Sequence, residues 1–254
     1  MKLKVAGKRV VITGASSGLG AHFARLLYEN GAHIGLLARR VNKLSELANS
    51  LKRPDGGNIA MAECDILDED AIANALAKIH SKLGGIDVLI NNAGVTYQSP
   101  ALDQTTDDFD AVMNTNLRGA WITSVKTANL MVADGISGSI INIGSILGER
   151  VARNVASYAV SKAAISQLTK ALGLEWARYG IRVNALAPGY LRTELNDDFF
   201  ASKAGSDLIN RVPQRRLGLL SELDGPLMLL ASDASSFMTG AVIPVDGGHL
   251  VSSL

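Results

Sequence analysis

Short runs of β-branched and aliphatic residues alternate with longer stretches of helical periodicity along almost the whole chain. The runs at 9–12, 33–37, 59–62, 88–90, 139–143, 182–185 and 241–245 read as strands, and the stretches at 18–29, 43–52, 68–82, 106–133, 156–178 and 221–231 read as helices. Val10-Val11-Ile12 and Ile140-Ile141-Asn142-Ile143 lack the polar alternation of a half-exposed strand, as expected where helices cover both faces of a sheet. Strands and helices in strict alternation predict an α/β fold around a doubly wound parallel sheet of seven strands. Asp68 and Ser221 read as helix N-caps, and Gly31 and Gly180 as helix stops. The segment about 190–220 is too long for an ordinary connection and is expected to be a flexible substrate flap.

Composition narrows the class. A chain of 254 residues with 47% hydrophobic content and no linker or repeat reads as a single domain spanning 1–254. Net charge is +1, with 25 basic against 24 acidic residues and no like-charge run longer than Arg39-Arg40 or Arg215-Arg216. That balance speaks against nucleic-acid and anionic-membrane partners. Residues 1–8 carry no apolar signal core, and nowhere do eighteen apolar residues run together, so a cytoplasmic protein is expected. Cys64 is the only cysteine, which rules out an intrachain disulfide, and it reads as a small buried hydrophobe. His22, His33, His80 and His249 lack metal-ligand spacing, so no metal is expected.

The first strand runs into Thr13-Gly14-Ala15-Ser16-Ser17-Gly18-Leu19-Gly20 and then a helix. Such a turn presents backbone N–H groups and the positive end of the helix to a pyrophosphate. Its spacing is G-x-x-x-G-x-G, and no Lys-Ser or Lys-Thr follows, which disfavours a P-loop. A methyltransferase turn stays open on this feature alone. After the second strand the chain reads Leu37-Ala38-Arg39-Arg40, with no acid to bind the 2′-hydroxyl of NAD and two guanidiniums able to grip a phosphate. NADP is therefore expected, NAD less so. Tyr158 is the only one of five tyrosines with a lysine, Lys162, four residues on. On a helix those positions share a face, so the ammonium can favour the phenolate.

In order, Thr13-Gly14-x-x-x-Gly18-x-Gly20, Asn91-Asn92-Ala93-Gly94, Asn116, Ser145, Tyr158-x-x-x-Lys162 and Pro188-Gly189 resemble the short-chain dehydrogenase/reductase family over essentially the whole chain. The resemblance implies a Rossmann fold with strand order 3-2-1-4-5-6-7 and a nicotinamide dinucleotide. It implies Tyr158 as general acid/base, Ser145 as hydrogen-bond partner of the substrate oxygen, Lys162 lowering the Tyr158 pKa and holding the nicotinamide ribose, and Asn116 maintaining a water-linked proton relay. It also implies a cofactor set of Gly14, Ser16, Ser17, Gly18, Leu19, Gly20 and Arg39, with Asp65 and Ile66 at the adenine and Asn92, Ala93 and Gly94 beside the adenosine. Tyr158 and Lys162 belong to that set too, and Pro188, Gly189 and Thr193 would meet the nicotinamide. Ser16 and Ser17 are neutral where many relatives place a basic residue, which leaves Arg39 as the expected reader of the 2′-phosphate. The chain also lacks the proline that commonly follows the glycine at the position of Gly218.

The expected activity is an NADP-dependent reductase of a ketone or aldehyde, or the reverse alcohol dehydrogenase. A 3-oxoacyl thioester reductase and a sugar-acid dehydrogenase are narrower alternatives, and a non-catalytic dinucleotide sensor is the alternative from another class. Leu191, Leu195, Phe199, Phe200, Leu208 and Ile209, with Tyr97, Ile146 and Leu147, predict a substrate with an apolar body. Arg150, Arg153 or Arg192, turned inward, would select an anionic group. Helices 106–133 and 156–178 carry apolar residues on more than one face, including Ala111, Val112, Leu117, Trp121 and Ile122 on the first. With the resemblance, this predicts a homotetramer, or at least a homodimer, joined through that pair.

Overall fold

The apolar runs pair as one parallel sheet in a computed structural model that describes residues 3–53, 56–192, 200 and 202–252. The strands are β1 (Arg9–Thr13), β2 (His33–Ala38), β3 (Ile59–Glu63), β4 (Val88–Asn91), β5 (Ser139–Ile143), β6 (Arg182–Pro188) and β7 (Val242–Val245). Their order is β3-β2-β1-β4-β5-β6-β7, as expected, so the chain reverses direction across the sheet between β1 and β4. Ligands of open α/β sheets bind at such a switch, beyond the carboxyl ends of the strands.

Successive side chains of each strand go to opposite faces. Val10, Ile12, Ile34, Leu36 and Ile141 pack with Phe23 and Leu27 of α1 (Gly18–Glu29) and Leu44 and Leu47 of α2 (Val41–Ser50). Val11, Leu37, Leu89 and Ile140 pack on the other face with Ile72, Leu76 and Ile79 of α3 (Glu69–Leu83). Both layers are lined by buried apolar side chains, which is why the strands carry no polar alternation. The exceptions form a ladder: Asn91 donates to Asn142 Oδ1 (2.9 Å) and to Ser124 (2.7 Å), and Asn142 donates to Thr169 (2.9 Å). Asn91 and Asn142 are register partners of β4 and β5, so this buried polar pairing penalises any slip of those strands.

The stretch 106–133 is helical but not uniform. α4 (Thr106–Met113) opens into a π-helical stretch, Asn114–Gly119, before α5 (Ala120–Ala133) resumes. Asn114, Thr115, Asn116 and Gly119 are weak helix formers, and wide turns of this kind recur at functional sites. Gly119 also has no room for a side chain, since a Cβ would stand 2.8 Å from the Ile66 carbonyl oxygen. The stretch 156–178 forms α6 (Ala156–Trp176), closed by a 3-10 turn before Gly180, which takes a positive φ of 74°.

Asp68 caps α3 as expected, accepting from the amides of Asp70 and Ala71. Ser221 does not cap a helix: it lies inside a 3-10 turn, Leu220–Leu223, that precedes a helix at Asp224–Ala231. There the Glu222 carboxylate accepts from the Leu219 amide (2.8 Å) and pairs with Arg216 (2.6 Å), so a carboxylate and not a hydroxyl satisfies the turn. Of the expected flap, residues 193–199 and 201, which include Thr193, Leu195 and Phe199, lie outside the described residues. A short helix, α7 (Lys203–Ile209), is described. The neck of the segment is tied: Gly218 donates to the Tyr190 carbonyl and accepts from Arg192, both at 2.9 Å. Gly218 thus does without a following proline, because a parallel bridge to Leu191 fixes its geometry. No described helix is long and apolar enough to cross a membrane.

Candidate active site

Two adjoining spaces lie beyond the carboxyl ends of the strands. The first, about 350 Å³, is lined by Gly14, Ser16, Ser17, Leu19, Arg39, Arg40, Asp65 and Ile66, with Asn92–Gly94 on the far wall. The glycine turn is stitched to the end of β4. Thr13 Oγ1 accepts from the amides of Asn92 (3.0 Å) and Ala93 (3.1 Å), while the Asn92 amide group donates to the carbonyls of Thr13 (3.0 Å) and Gly14 (3.2 Å). The stitching leaves no volume for side chains. A Cβ on Gly14 would stand 2.8 Å from Ala93 Cα, and one on Gly20 would stand 2.4 Å from the Gly14 oxygen. Gly18 faces open space at φ 54°.

Ser17 occupies the N-cap position of α1, yet its hydroxyl accepts no amide of the first turn. Those N–H groups and the positive helix end face the cleft, a donor set suited to phosphate oxygens. Arg40 Nη2 donates to the hydroxyls of Ser16 (3.0 Å) and Ser17 (2.9 Å), closing the same corner. The residues thus fit a phosphorylated dinucleotide. Arg39 and Arg40 both line the cleft, and Arg40, not the Arg39 on which the sequence reading mainly rested, is the guanidinium fastened across the serines. Asp65 lines the other end, where its carboxylate accepts from Leu67 N at 3.1 Å. Cys64, beneath it, is buried, and burial pushes its thiol up to about 11, so it behaves as core.

The second space, about 490 Å³, shares Leu19, Asn92, Gly94 and Val95 with the first and adds Ser145, Ile146, Leu147, Val155, Tyr158, Lys162, Pro188, Gly189 and Tyr190. Ser145 ends β5 and caps the turn after it, accepting from Leu147 N at 3.1 Å. Helix α6 lies so close to that turn that a Cβ on Gly148 would stand 2.8 Å from the Lys162 carbonyl oxygen. This contact carries Tyr158 and Lys162 to Ser145. Lys162 is only 5% exposed, and its ammonium donates to the Ile143 carbonyl (2.7 Å) while standing 5.5 Å from the centre of the Tyr158 ring. Burial pulls its pKa down to about 8.

The phenol itself departs from expectation. Its pKa is raised, chiefly by burial, against the opposing pull of a hydrogen bond from Ser145. The Lys162 ammonium, 5.5 Å from the ring centre, is engaged by the Ile143 carbonyl in this arrangement and does not hydrogen-bond the phenol. Asn116 also stands differently from a free relay group. Its Oδ1 accepts from Val95 N (2.8 Å), and its amide donates to the Val95 carbonyl and to Ser161 Oγ, both at 2.9 Å. The side chain therefore clamps the pocket wall to α6 from behind. Arg150 turns to the carboxyl-terminal turn, donating to the His249 carbonyl and to Ser252 Oγ (2.8 Å), and Arg153 is exposed. Sequence reasoning also passed over Tyr190; its place directly after Pro188-Gly189 was the available signal.

Comparison with known proteins finds relatives over nearly the whole chain. The family described as Enoyl-(Acyl carrier protein) reductase matches residues 14–249. Gluconate 5-dehydrogenase of Gluconobacter oxydans (strain 621H) is 36% identical over 249 residues, covering 98% of this chain and 96% of that protein. The 3-oxoacyl-(acyl-carrier-protein) reductase of Thermotoga maritima is 34% identical over 251 residues, covering 98% and 100%. The crystal structure of a gluconate 5-dehydrogenase from Burkholderia cenocepacia J2315, in complex with NADP and tartrate, superposes with a TM-score of 0.93 at 38% identity, covering 99% of this chain and 98% of that one.

Proposed function

The chain belongs to the short-chain dehydrogenase/reductase family, and we propose that it is an NADP(H)-dependent oxidoreductase interconverting a carbonyl and a secondary alcohol, with Tyr158 as general acid/base. The observation that carries this reading is the convergence of a partly buried phenol, a hydroxyl and a buried ammonium in one pocket that opens into the glycine-turn cleft. Bound NADP(H) supplies or accepts the hydride at its nicotinamide. Gly14, Ser16, Ser17, Gly18, Leu19 and Gly20 hold its pyrophosphate side, Arg39 and Arg40 its 2′-phosphate, and Asp65, Ile66 and Asn92–Gly94 its adenosine. Pro188, Gly189 and Thr193 serve the nicotinamide end.

In the reducing direction Tyr158 gives its proton to the substrate oxygen, which gains negative charge as the carbon is reduced. Ser145 donates a hydrogen bond to the same oxygen and so stabilises that charge in the transition state. Lys162 then stands beside a phenolate, and its ammonium limits the cost of leaving that charge in a partly dry pocket. Asn116 acts as a positioning residue through Val95 and Ser161.

A sugar acid or a related polyhydroxy acid is the favoured substrate, supported by the gluconate 5-dehydrogenases among the similar proteins. A 3-oxoacyl thioester is the second reading, favoured by the apolar wall of Ile146, Leu147, Val155 and Leu191. Spectrophotometric NADPH oxidation against a carbonyl panel containing keto-sugar acids and a 3-oxoacyl thioester tests both, with fastest turnover expected for a keto-sugar acid. Tight NADPH binding with no turnover on any carbonyl would instead support a dinucleotide sensor. The protein is further read as one cytoplasmic domain and as a homotetramer or homodimer. The exposed Trp121 and Leu174 on α5 and α6 support that assembly, and a monomer by sedimentation at micromolar concentration would overturn it.

A further inference from the structure

The reaction pocket contains a second phenol. Tyr190 shares the wall with Ser145 and Tyr158, and the two phenols are near enough that charge on Tyr190 would push the Tyr158 pKa up. Its ring is wedged between two others, edge-on to Phe200 (6.0 Å, 72°) and tilted against His249 (5.5 Å, 42°). His249 is only 7% exposed and belongs to a carboxyl-terminal turn that is itself braced. There Arg150 holds the His249 carbonyl and Ser252, while the Asp246 carboxylate accepts from the amides of Gly248 (2.9 Å) and Leu250 (2.7 Å). These two ring contacts hold the Tyr190 ring in the wall of the pocket.

Among the described residues that hydroxyl meets no hydrogen-bond partner. Burial raises its pKa, with the charges of Arg150 and Arg211 pulling the other way, so it stands in the pocket as a neutral donor. A half-buried donor in this position is satisfied by whatever occupies the pocket. We infer that Tyr190 is a specificity-determining residue whose hydroxyl binds a second oxygen of the substrate, on the carbon next to the reacting one, and so selects hydroxylated carbonyl compounds over plain ketones. The inference rests on the oxidoreductase reading above and names a residue that sorts its substrates.

The test compares NADPH-dependent reduction of two matched substrates, butanone and its α-hydroxy derivative, by the wild-type protein and Tyr190→Phe. Phenylalanine keeps the ring between Phe200 and His249 and removes only the hydroxyl. The wild type is expected to favour the hydroxylated ketone in kcat/KM, and the variant to lose about fivefold to tenfold of that preference, mainly through KM, the range of one neutral hydrogen bond. An unchanged preference, or an equal loss on both ketones, overturns the inference while leaving the oxidoreductase reading intact. A wild type that binds NADPH, followed by its fluorescence, but reduces no carbonyl overturns both.

Discussion

The dinucleotide cleft and the reaction pocket adjoin, yet they are assembled in opposite ways. The cleft is mainly backbone: a glycine turn, the first amides of a helix and the Asn92–Gly94 stretch that follows β4, locked by Thr13 and Asn92. The pocket is mainly side chains from the ends of β5 and β6, helix α6 and the pair Tyr190-Leu191, and burial shifts three of them, raising the phenols of Tyr158 and Tyr190 and pulling the Lys162 ammonium down to about 8. A backbone cradle tolerates few changes of shape but many of chemistry, whereas a side-chain pocket does the reverse. Each experiment below asks whether that division holds.

The sharpest break should come from the smallest chemical change on the pocket side. Tyr158→Phe should lower kcat by about a hundredfold or more, because the proton has no equivalent donor, while NADPH affinity stays within about threefold. Near-normal turnover would remove Tyr158 from its role. On the cleft side the corresponding change is Arg40→Ala, which should weaken NADPH by about tenfold or more and NADH far less, given about 1.5–3 kcal/mol for a charge-assisted phosphate contact. The same measurement on Arg39→Ala shows how the two guanidiniums share the phosphate. Equal losses for both cofactors in both variants would mean that neither reads it.

Shape is tested by Gly20→Ala, whose new methyl would stand 2.4 Å from the Gly14 oxygen and 2.6 Å from Asn92 Nδ2. About 1–3 kcal/mol of stability should be lost in denaturant unfolding, with weaker NADPH binding, since backbone has to move. An unchanged midpoint would show the cradle to be softer than its packing implies. The remaining effect, seen only in alkaline solution, concerns Lys162. Its pKa falls from 10.5 to about 8 on folding, so between those values the unfolded chain binds a proton that the folded chain does not. Stability should therefore climb as pH rises through that window, by up to about 1.4 kcal/mol per unit, and the slope should be missing in Lys162→Met. Identical slopes in the two proteins would mean that Lys162 keeps its proton through coupling to its surroundings.

The same division explains what could be read from residues alone. Strand and helix identity, the glycine turn and the pairing of Tyr158 with Lys162 all rest on spacings of a few residues, which local periodicity expresses directly. The sheet order and the alignment of Ser145 with Tyr158 came from resemblance, since no local spacing specifies which strands become neighbours. Sequence determined that a phosphate-binding turn, a phenol and an ammonium were present. Tertiary structure decided which guanidinium closes over Ser16 and Ser17, that Ile143 and not Tyr158 takes the Lys162 proton donor, that Asn116 spends its amide on Val95 and Ser161, and that Tyr190 is held between Phe200 and His249. The physical reason is that burial and long-range contact set pKa values and hydrogen-bond partners, and both arise only once segments tens to a hundred residues apart are packed together.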